Sequence, residues 1–174
     1  AIPLGQSVTG MWTWDLMRLV DYIRDSGHEG RIGCVGLSGG GLQTLWLSAM
    51  DDRIDCAAVS GYFYGVKDAL LRLSDNCACN YVPGLWKLAD MGDIGALIAP
   101  RPLLIESGDA DPLNGERGIV NVVEQVDITR RAYALFGAAD RLKHFIFEGG
   151  HYWNGAATYD FLDAHLRSER GEPA

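Results

Sequence analysis

The chain has 174 residues, 48% of them hydrophobic, and its 15 Lys and Arg against 23 Asp and Glu give a formal net charge of −8. This length predicts one domain with a single core. The acidic residues are scattered, so the basic face that nucleic acid requires is not expected. No apolar run reaches the roughly 20 residues that span a bilayer. The composition therefore predicts a soluble protein without a membrane or nucleic-acid partner, and the cytoplasm is the favoured compartment.

Short apolar strands alternate with helices along most of the chain. Helices are predicted at residues 12–26, 39–50, about 116–137 and 158–169. Strands are predicted at residues 31–38, 56–63, 101–108 and 142–150. Between the second and third strands lies a long segment, 62–99, with helix-like pieces and many turn residues. This alternation predicts an α/β fold with a mostly parallel sheet flanked by helices, and functional residues at the carboxyl ends of the strands.

Four cysteines are present, Cys34, Cys56, Cys77 and Cys79. Cys34 and Cys56 lie in or beside apolar strands, where a thiol behaves as a small hydrophobe. The spacing of Cys77 and Cys79 does not match a zinc knuckle, and no second ligand pair follows. We therefore expect reduced thiols and no metal. A disulfide that uses Cys77 or Cys79 is the alternative, and it would indicate an oxidising compartment.

The segment Gly36-Leu37-Ser38-Gly39-Gly40 matches the nucleophile elbow, a strained strand-to-helix turn that exposes a serine. Glycines two residues before and two after the serine are expected because a side chain there would collide with the neighbouring strand or helix. The turn also aims the N–H of Gly39 at the reacting centre, assisted by the positive end of the following helix. Ser38 is therefore the predicted nucleophile, and Gly39 the predicted oxyanion donor.

A serine hydroxyl needs a base to take its proton. Of the four histidines, His151 directly follows a predicted strand and two glycines, so its loop can carry the imidazole over the sheet edge. An unperturbed imidazole pKa near ~6.5 suits this task. His28, His144 and His165 are predicted to be surface or packing residues.

The acid should lie between the serine and the histidine in chain order. The third predicted strand ends in Gly108-Asp109-Ala110-Asp111-Pro112, which offers two carboxylates in one loop. Asp111 is preferred because it lies farther from the strand end and is fixed by Pro112. Asp109 is the alternative, and the unchosen aspartate is expected to cap or brace the loop.

With these residues in place, the chain resembles the α/β-hydrolase superfamily, and within it the acetyl xylan esterases and dienelactone hydrolase-like esterases. The resemblance rests on GQSVTGMWTWDLMRLVDYI, GLSGGG, DDRIDCAAVSGY, CNYVPGLWKLADMGDIGALIAPRPLLIESGDADP and the late GGH. In that family the matching serine, aspartate and histidine form the catalytic triad, which implies Ser38, Asp111 and His151. The resemblance also implies that no cofactor is needed.

Related enzymes carry several strands and helices before the helix that is predicted from Trp12. The chain is therefore expected to form a single catalytic domain over residues 1–174 that lacks the usual N-terminal strands, including the loop that supplies a second oxyanion donor. This would leave the nucleophile strand at an open edge. We expect that edge to be covered by a second copy of the chain, as a homodimer, or by a missing N-terminal portion.

The sequence thus predicts a serine carboxylesterase that acts on small acyl esters, without metal or cofactor. Aromatic side chains predicted to line its pocket are Tyr62, Tyr64, Tyr81, Trp86, Tyr152 and Trp153. Two alternatives stay open. One is a non-catalytic or weakly active fragment of a larger hydrolase, and the other is a peptidase or thioesterase on the same fold.

Overall fold

A computed structural model describes residues 2–72 and 76–167 of the chain. Its strands are β1 (Gly33–Leu37), β2 (Cys56–Ser60), β3 (Leu103–Gly108) and β4 (Leu142–Phe147). Its α-helices are α1 (Val8–Asp25), α2 (Gly39–Met50), α3 (Met91–Ala96), α4 (Ile119–Leu135) and α5 (Thr158–Leu166). The strands form one sheet in the order β1-β2-β3-β4, and every pair is parallel. The predicted α/β class is therefore confirmed.

The two central strands are buried on both faces, as their apolar composition predicts. Every residue of β2 and β3 is buried. On one face Val59 and Ile105 belong to the main core with residues of α2 and α4, such as Leu42 and Val126. On the other face Phe161 of α5 packs over the sheet. Apolar burial of this kind stabilises by about 25 cal/mol per Å², so the centre of the sheet is its most firmly held part.

The outer strand β1 is much more open than β2 and β3. It pairs only with β2, and Val35 in its middle is 41% exposed. Helix α1 packs on α2 through Val20 and Leu47. The same helix also leaves large apolar side chains in contact with solvent, namely Met11, Trp12, Trp14, Leu19 and Tyr22. The strand that precedes Ser38 is thus an edge strand beside an apolar surface.

Helix α1 begins at Val8, earlier than the predicted start at residue 12. The hydroxyl of Ser7 accepts a hydrogen bond from the N–H of Gly10 and so caps the helix. Apolar periodicity alone missed this turn because the residue that it buries, Thr9, is polar. At the other end of the chain, predicted helical residues 168 and 169 lie outside the described residues.

The segment between β2 and β3 consists of short turns and the small helix α3. Oδ1 of Asp90 accepts a hydrogen bond from the N–H of Met91 and caps α3, and Oδ2 of Asp93 accepts one from the N–H of Asp90. Cys77 and Cys79 are joined by a disulfide, whereas Cys34 and Cys56 are free. The expectation of reduced thiols is therefore wrong for Cys77 and Cys79, and the alternative, a disulfide, is present, because the turn at Ala78–Asn80 holds their Cα atoms 5.5 Å apart.

Helices long and apolar enough to cross a bilayer are absent from the described part of the chain.

Candidate active site

Ser38 occupies a strained turn between β1 and α2. Its φ of 58° and ψ of −117° lie outside the regions that a side chain normally allows. Ser38 is the N-cap of α2, but its hydroxyl makes no capping hydrogen bond. The turn is held through the backbone instead, because the N–H of Ser38 donates to the carbonyl of Ser60 at 2.9 Å. The hydroxyl is therefore not used to hold the turn together.

The glycines around Ser38 have unequal roles. A side chain at Gly36 would collide with the backbone carbonyl group of Gly40, so the predicted close approach is present at this position. At Gly40 itself a Cβ would meet nothing within 4 Å, so the predicted collision is wrong there. The crowded position after the serine is Gly41, where a Cβ would lie 2.7 Å from the carbonyl oxygen of Ser60. The elbow thus requires small residues where α2 crosses the ends of β1 and β2.

Asp111 lies in the loop after β3 and is 3% exposed. Its Oδ1 accepts a hydrogen bond from the N–H of Leu113 at 2.9 Å. The neighbouring Asn114 amide donates to the carbonyl of Gly108 at 2.9 Å and closes the loop on itself. The second oxygen, Oδ2, lies 2.7 Å from Nδ1 of His151. A buried carboxylate with both oxygens engaged is well suited to hold an imidazole in one orientation.

His151 lies in the loop between β4 and α5, which we call the histidine loop (residues 148–157). Its ring packs against the backbone of Gly61, where an added Cβ would lie 3.0 Å from Cε1 of the ring. The same point is 3.0 Å from Cδ1 of Leu37, the residue before Ser38. Since Nδ1 faces Asp111, the opposite nitrogen Nε2 is left for the reacting group. The structure thus brings His151, Asp111 and the elbow together at the carboxyl edge of the sheet.

Asp109, the alternative acid, contacts the backbone of the histidine loop. Its Oδ1 accepts a hydrogen bond from the N–H of Gly149 at 2.9 Å. The next residue, Ala110, donates its N–H to the carbonyl of Gly149, also at 2.9 Å. Asp109 therefore braces the loop, as expected for the aspartate that does not face the imidazole.

The other three histidines lie away from this group. His28 is exposed in a turn. His165 packs edge-on against Phe161. On β4, Nε2 of His144 lies 3.2 Å from the hydroxyl of Ser107. Burial lowers the pKa of His144 to about 4, and the charge of Arg130 lowers it further while Asp127 opposes the effect.

The six aromatic residues predicted to line a pocket fall into three groups. Tyr62 and Tyr64 are buried in the core, with ring centroids 5.2 Å apart. Burial raises the pKa of Tyr64 well above its usual value, and the charges of Tyr62 and Asp111 add to this effect. Tyr81 and Trp86 pack edge to face in the segment after β2. Tyr152 and Trp153 directly follow His151 in the chain, and Tyr152, which is 46% exposed, packs against Phe147 with ring centroids 5.0 Å apart.

The cavity lined by Tyr62, Trp86 and Asn80 has a volume of about 20 Å³. This volume holds roughly one water molecule, not an acyl group. Larger surface recesses of about 360 and 570 Å³ lie beside Trp14 and beside Arg101. Within residues 2–72 and 76–167, neither recess is lined by Ser38, Asp111 or His151.

Metal-binding clusters of three or more His, Cys, Asp or Glu side chains are absent from the described residues.

Sequence reasoning missed Glu106 and Asn121, which organise the loops around the site. Glu106 is 1% exposed, and its Oε1 accepts hydrogen bonds from the histidine loop and from Thr158. The Asn121 amide donates to the carbonyls of Gly65 and Asn114, which ties the segment after β2 to the loop after β3. The available signal was a charged residue, Glu106, inside an otherwise apolar strand, because such a residue is rarely buried without partners.

No protein-family model matches the chain. The Bacillus subtilis (strain 168) protein "Putative hydrolase YtaP" is 32% identical to it over 155 residues, which make up 85% of this chain and 50% of that protein. The chain thus spans about half the length of this relative.

Solved structures of esterases superpose on the chain. A glucuronoyl esterase of carbohydrate esterase family 15 from Caldicellulosiruptor kristjansonii does so with a TM-score of 0.73 at 18% identity, over 93% of this chain and 51% of that one. The "putative acetyl xylan esterase (BF1801)" of Bacteroides fragilis NCTC 9343 gives a TM-score of 0.66 at 19% identity, over 98% and 46%. The chain therefore has the α/β-hydrolase fold, and the predicted resemblance to its esterases is confirmed at the level of fold.

Proposed function

We propose that the chain carries the catalytic residues of a serine carboxylesterase that hydrolyses small acyl esters, with acetyl esters as the first class to test. The observation that carries the proposal is the 2.7 Å contact between Oδ2 of Asp111 and Nδ1 of His151, beside the strained turn of Ser38. A nucleophile, a base and an acid that orients the base are the parts of an acyl-transfer site. The esterase names of the structural neighbours support the same reaction class.

In the first half of the reaction, Oγ of Ser38 attacks the ester carbonyl carbon. Nε2 of His151 takes the serine proton as the new C–O bond forms, and Asp111 stabilises the resulting imidazolium. The negative oxygen of the intermediate accepts a hydrogen bond from the N–H of Gly39, at the positive end of α2. The ester C–O bond then breaks, and His151 gives its proton to the departing alcohol.

The second half repeats these steps with water. His151 removes a proton from water, and the hydroxide oxygen bonds to the acyl carbon on Ser38. The acyl C–O bond to Ser38 then breaks, Oγ regains its proton from His151, and the carboxylic acid leaves. Tyr152 and Trp153 directly follow His151 in the chain, so we propose that they contact the ester.

We further propose that the open edge of β1 is covered in the active protein. The occupant is either a second copy of this chain or polypeptide outside residues 1–174, as in the relatives of about twice its length. The exposed Val35 on β1 and the apolar surface of α1 support this proposal, because unpaired strand edges and uncovered apolar surface favour association. A second oxyanion donor would come from the same occupant.

The test is release of p-nitrophenol from p-nitrophenyl acetate, with Ser38→Ala as the control. We expect steady turnover with a burst of acylation, and a loss of about 10⁴-fold or more in Ser38→Ala. Release that is equal in the two proteins would overturn the proposal. The molecular mass of the same sample separates a homodimer from a chain alone, and a compact, fully active monomer would contradict the covered edge.

A substrate panel separates the enzyme alternatives. It compares the acetyl ester with a methyl ester of glucuronic acid, an acyl thioester and a peptide anilide at equal concentration. We expect the acetyl ester to have the highest serine-dependent kcat/KM. A preference for the thioester or the anilide would favour the thioesterase or peptidase instead.

A weakly active fragment is the second candidate, and the open edge of β1 favours it. Loss of one oxyanion donor lowers kcat by about 10² to 10³. In that case Ser38-dependent acylation would still be detectable, but slow. Failure of a reactive phosphonate to label Ser38 would support a chain without catalytic function.

A further inference from the structure

The histidine loop is attached at two places to β3 and to the residues that follow it. Near the start of the loop, Oδ1 of Asp109 accepts a hydrogen bond from the N–H of Gly149, and the N–H of Ala110 donates one to the carbonyl of Gly149. Near its end, Oε1 of Glu106 accepts hydrogen bonds from the N–H of Gly155 at 3.0 Å and from the hydroxyl of Thr158 at 3.1 Å. His151 lies between the two attachments. The position of its ring therefore depends on both.

The attachment through Glu106 is almost completely removed from solvent. Glu106 and Thr158 are each 1% exposed. A buried carboxylate is unfavourable unless hydrogen bonds satisfy it, and the two donors at Oε1 do so from one side. In a buried position these hydrogen bonds are not weakened by competing water, so they can hold the end of the loop in one place.

The second oxygen of Glu106, Oε2, makes no hydrogen bond within the described residues. Ser60 is the register partner of Glu106 across β2 and β3, so the two side chains leave the sheet on the same face. Oγ of Ser60 likewise makes no hydrogen bond, so within the described residues the Glu106 side chain is held through Oε1. The neighbouring Gly61 lies against the His151 ring.

We propose that Glu106 is a positioning residue for His151, acting through Gly155 and Thr158. It holds the end of the histidine loop, while Asp109 holds the beginning. Together they keep Nδ1 on Asp111 and leave Nε2 directed toward Ser38. The inference rests on the proposed esterase function and adds a residue that does not itself touch the ester.

The test replaces Glu106 by leucine and by glutamine. Glu106→Leu removes the acceptor at similar size and should lower kcat about 100-fold with KM changed less than threefold, because a misplacement near 1 Å costs about that much. Glu106→Gln keeps an acceptor for Gly155 and Thr158 at the same size. It should retain kcat within about fivefold.

The matched control is Glu29→Leu, which makes the same change at an exposed position after α1, outside the histidine loop. We expect wild-type kcat from it. Thr158→Val, with Thr158→Ser as its conservative partner, serves if Glu106→Leu does not fold. Thr158→Val removes one of the two donors, and a loss of about tenfold in kcat is expected, whereas Thr158→Ser should retain kcat.

A second readout is independent of turnover. The proton on Nδ1 of His151 should give a low-field NMR resonance in the wild type, and the same resonance in Glu106→Gln. In Glu106→Leu it should broaden or move upfield at temperatures well below unfolding. A folded Glu106→Leu with unchanged kcat and resonance would overturn the inference. If the wild type lacks Ser38-dependent turnover, the proposed function fails, while the resonance still decides whether Glu106 positions His151.

Discussion

β1 and β3 both end at the site, but they are held very differently. β3 is paired on both sides and wholly buried, and it leads into the two aspartates that face the histidine loop. β1 is paired on one side only and carries Ser38 at its end. Hence Asp111 and His151 are positioned by contacts within the described residues, whereas Ser38, the proposed nucleophile, follows a strand that is paired on one side only among those residues. The two halves of the site should therefore respond differently to substitution.

The largest expected effect separates the two aspartates after β3. Asp111→Asn should lower kcat by on the order of 10⁴-fold, because an amide facing Nδ1 favours the wrong imidazole tautomer. Asp109→Asn should lower it by about tenfold or less, since an amide oxygen can still accept from the N–H of Gly149. Steady-state hydrolysis of p-nitrophenyl acetate measures both variants. The reverse ranking would assign the acid to Asp109.

The next effect tests how β1 meets α2. Gly36→Ala should lower the free energy of unfolding by at least about 3 kcal/mol, because the new methyl group collides with the backbone of Gly40. Gly40→Ala places a methyl group in open space within a helix, so we expect a change of about 1 kcal/mol or less, in the stabilising direction. Urea unfolding of the pair provides the measurement. Equal effects would show that the turn is looser than the structure indicates.

The smallest expected effect concerns β4, the strand on the other side of β3. The pKa of His144 is lowered to about 4 in the folded chain, while an unfolded histidine titrates near ~6.5. The unfolded chain therefore binds the proton first, and stability falls as the pH drops from about 6.5 to about 4. Below that range the contribution no longer changes.

The expected loss by pH 4 is at most about 3 kcal/mol, since the shift spans about 2.5 pKa units and one unit corresponds to about 1.4 kcal/mol. Urea unfolding between pH 7 and pH 4 measures it. His144→Gln should flatten the dependence relative to the wild type, and His28→Gln, at an exposed position, should not. A slope that persists in His144→Gln would place its origin elsewhere.

Much of this architecture could be predicted because the chain repeats a simple pattern. Apolar runs after turn residues located all four strands, and the chain order of serine, aspartate and histidine placed Ser38, Asp111 and His151 at strand ends. The start of α1 depends on one hydrogen bond, which the Ser7 hydroxyl accepts from the N–H of Gly10. The spacing of apolar residues gives no sign of this bond. The partners of Glu106 lie 49 and 52 positions away in the chain, so only three-dimensional packing brings them together. The pairing of Cys77 with Cys79 depends on the local shape of the backbone.

Three side chains between residues 106 and 111 contact the histidine loop, at its backbone, at the His151 ring and at its end. Residues 106–111 and the histidine loop therefore form one structural unit. A chimera that takes residues 103–115 from a relative should lose these contacts unless it also takes residues 142–158. Exchange of both segments together should preserve the contacts. Recombination between relatives should therefore be tolerated outside this pair of segments far better than between them.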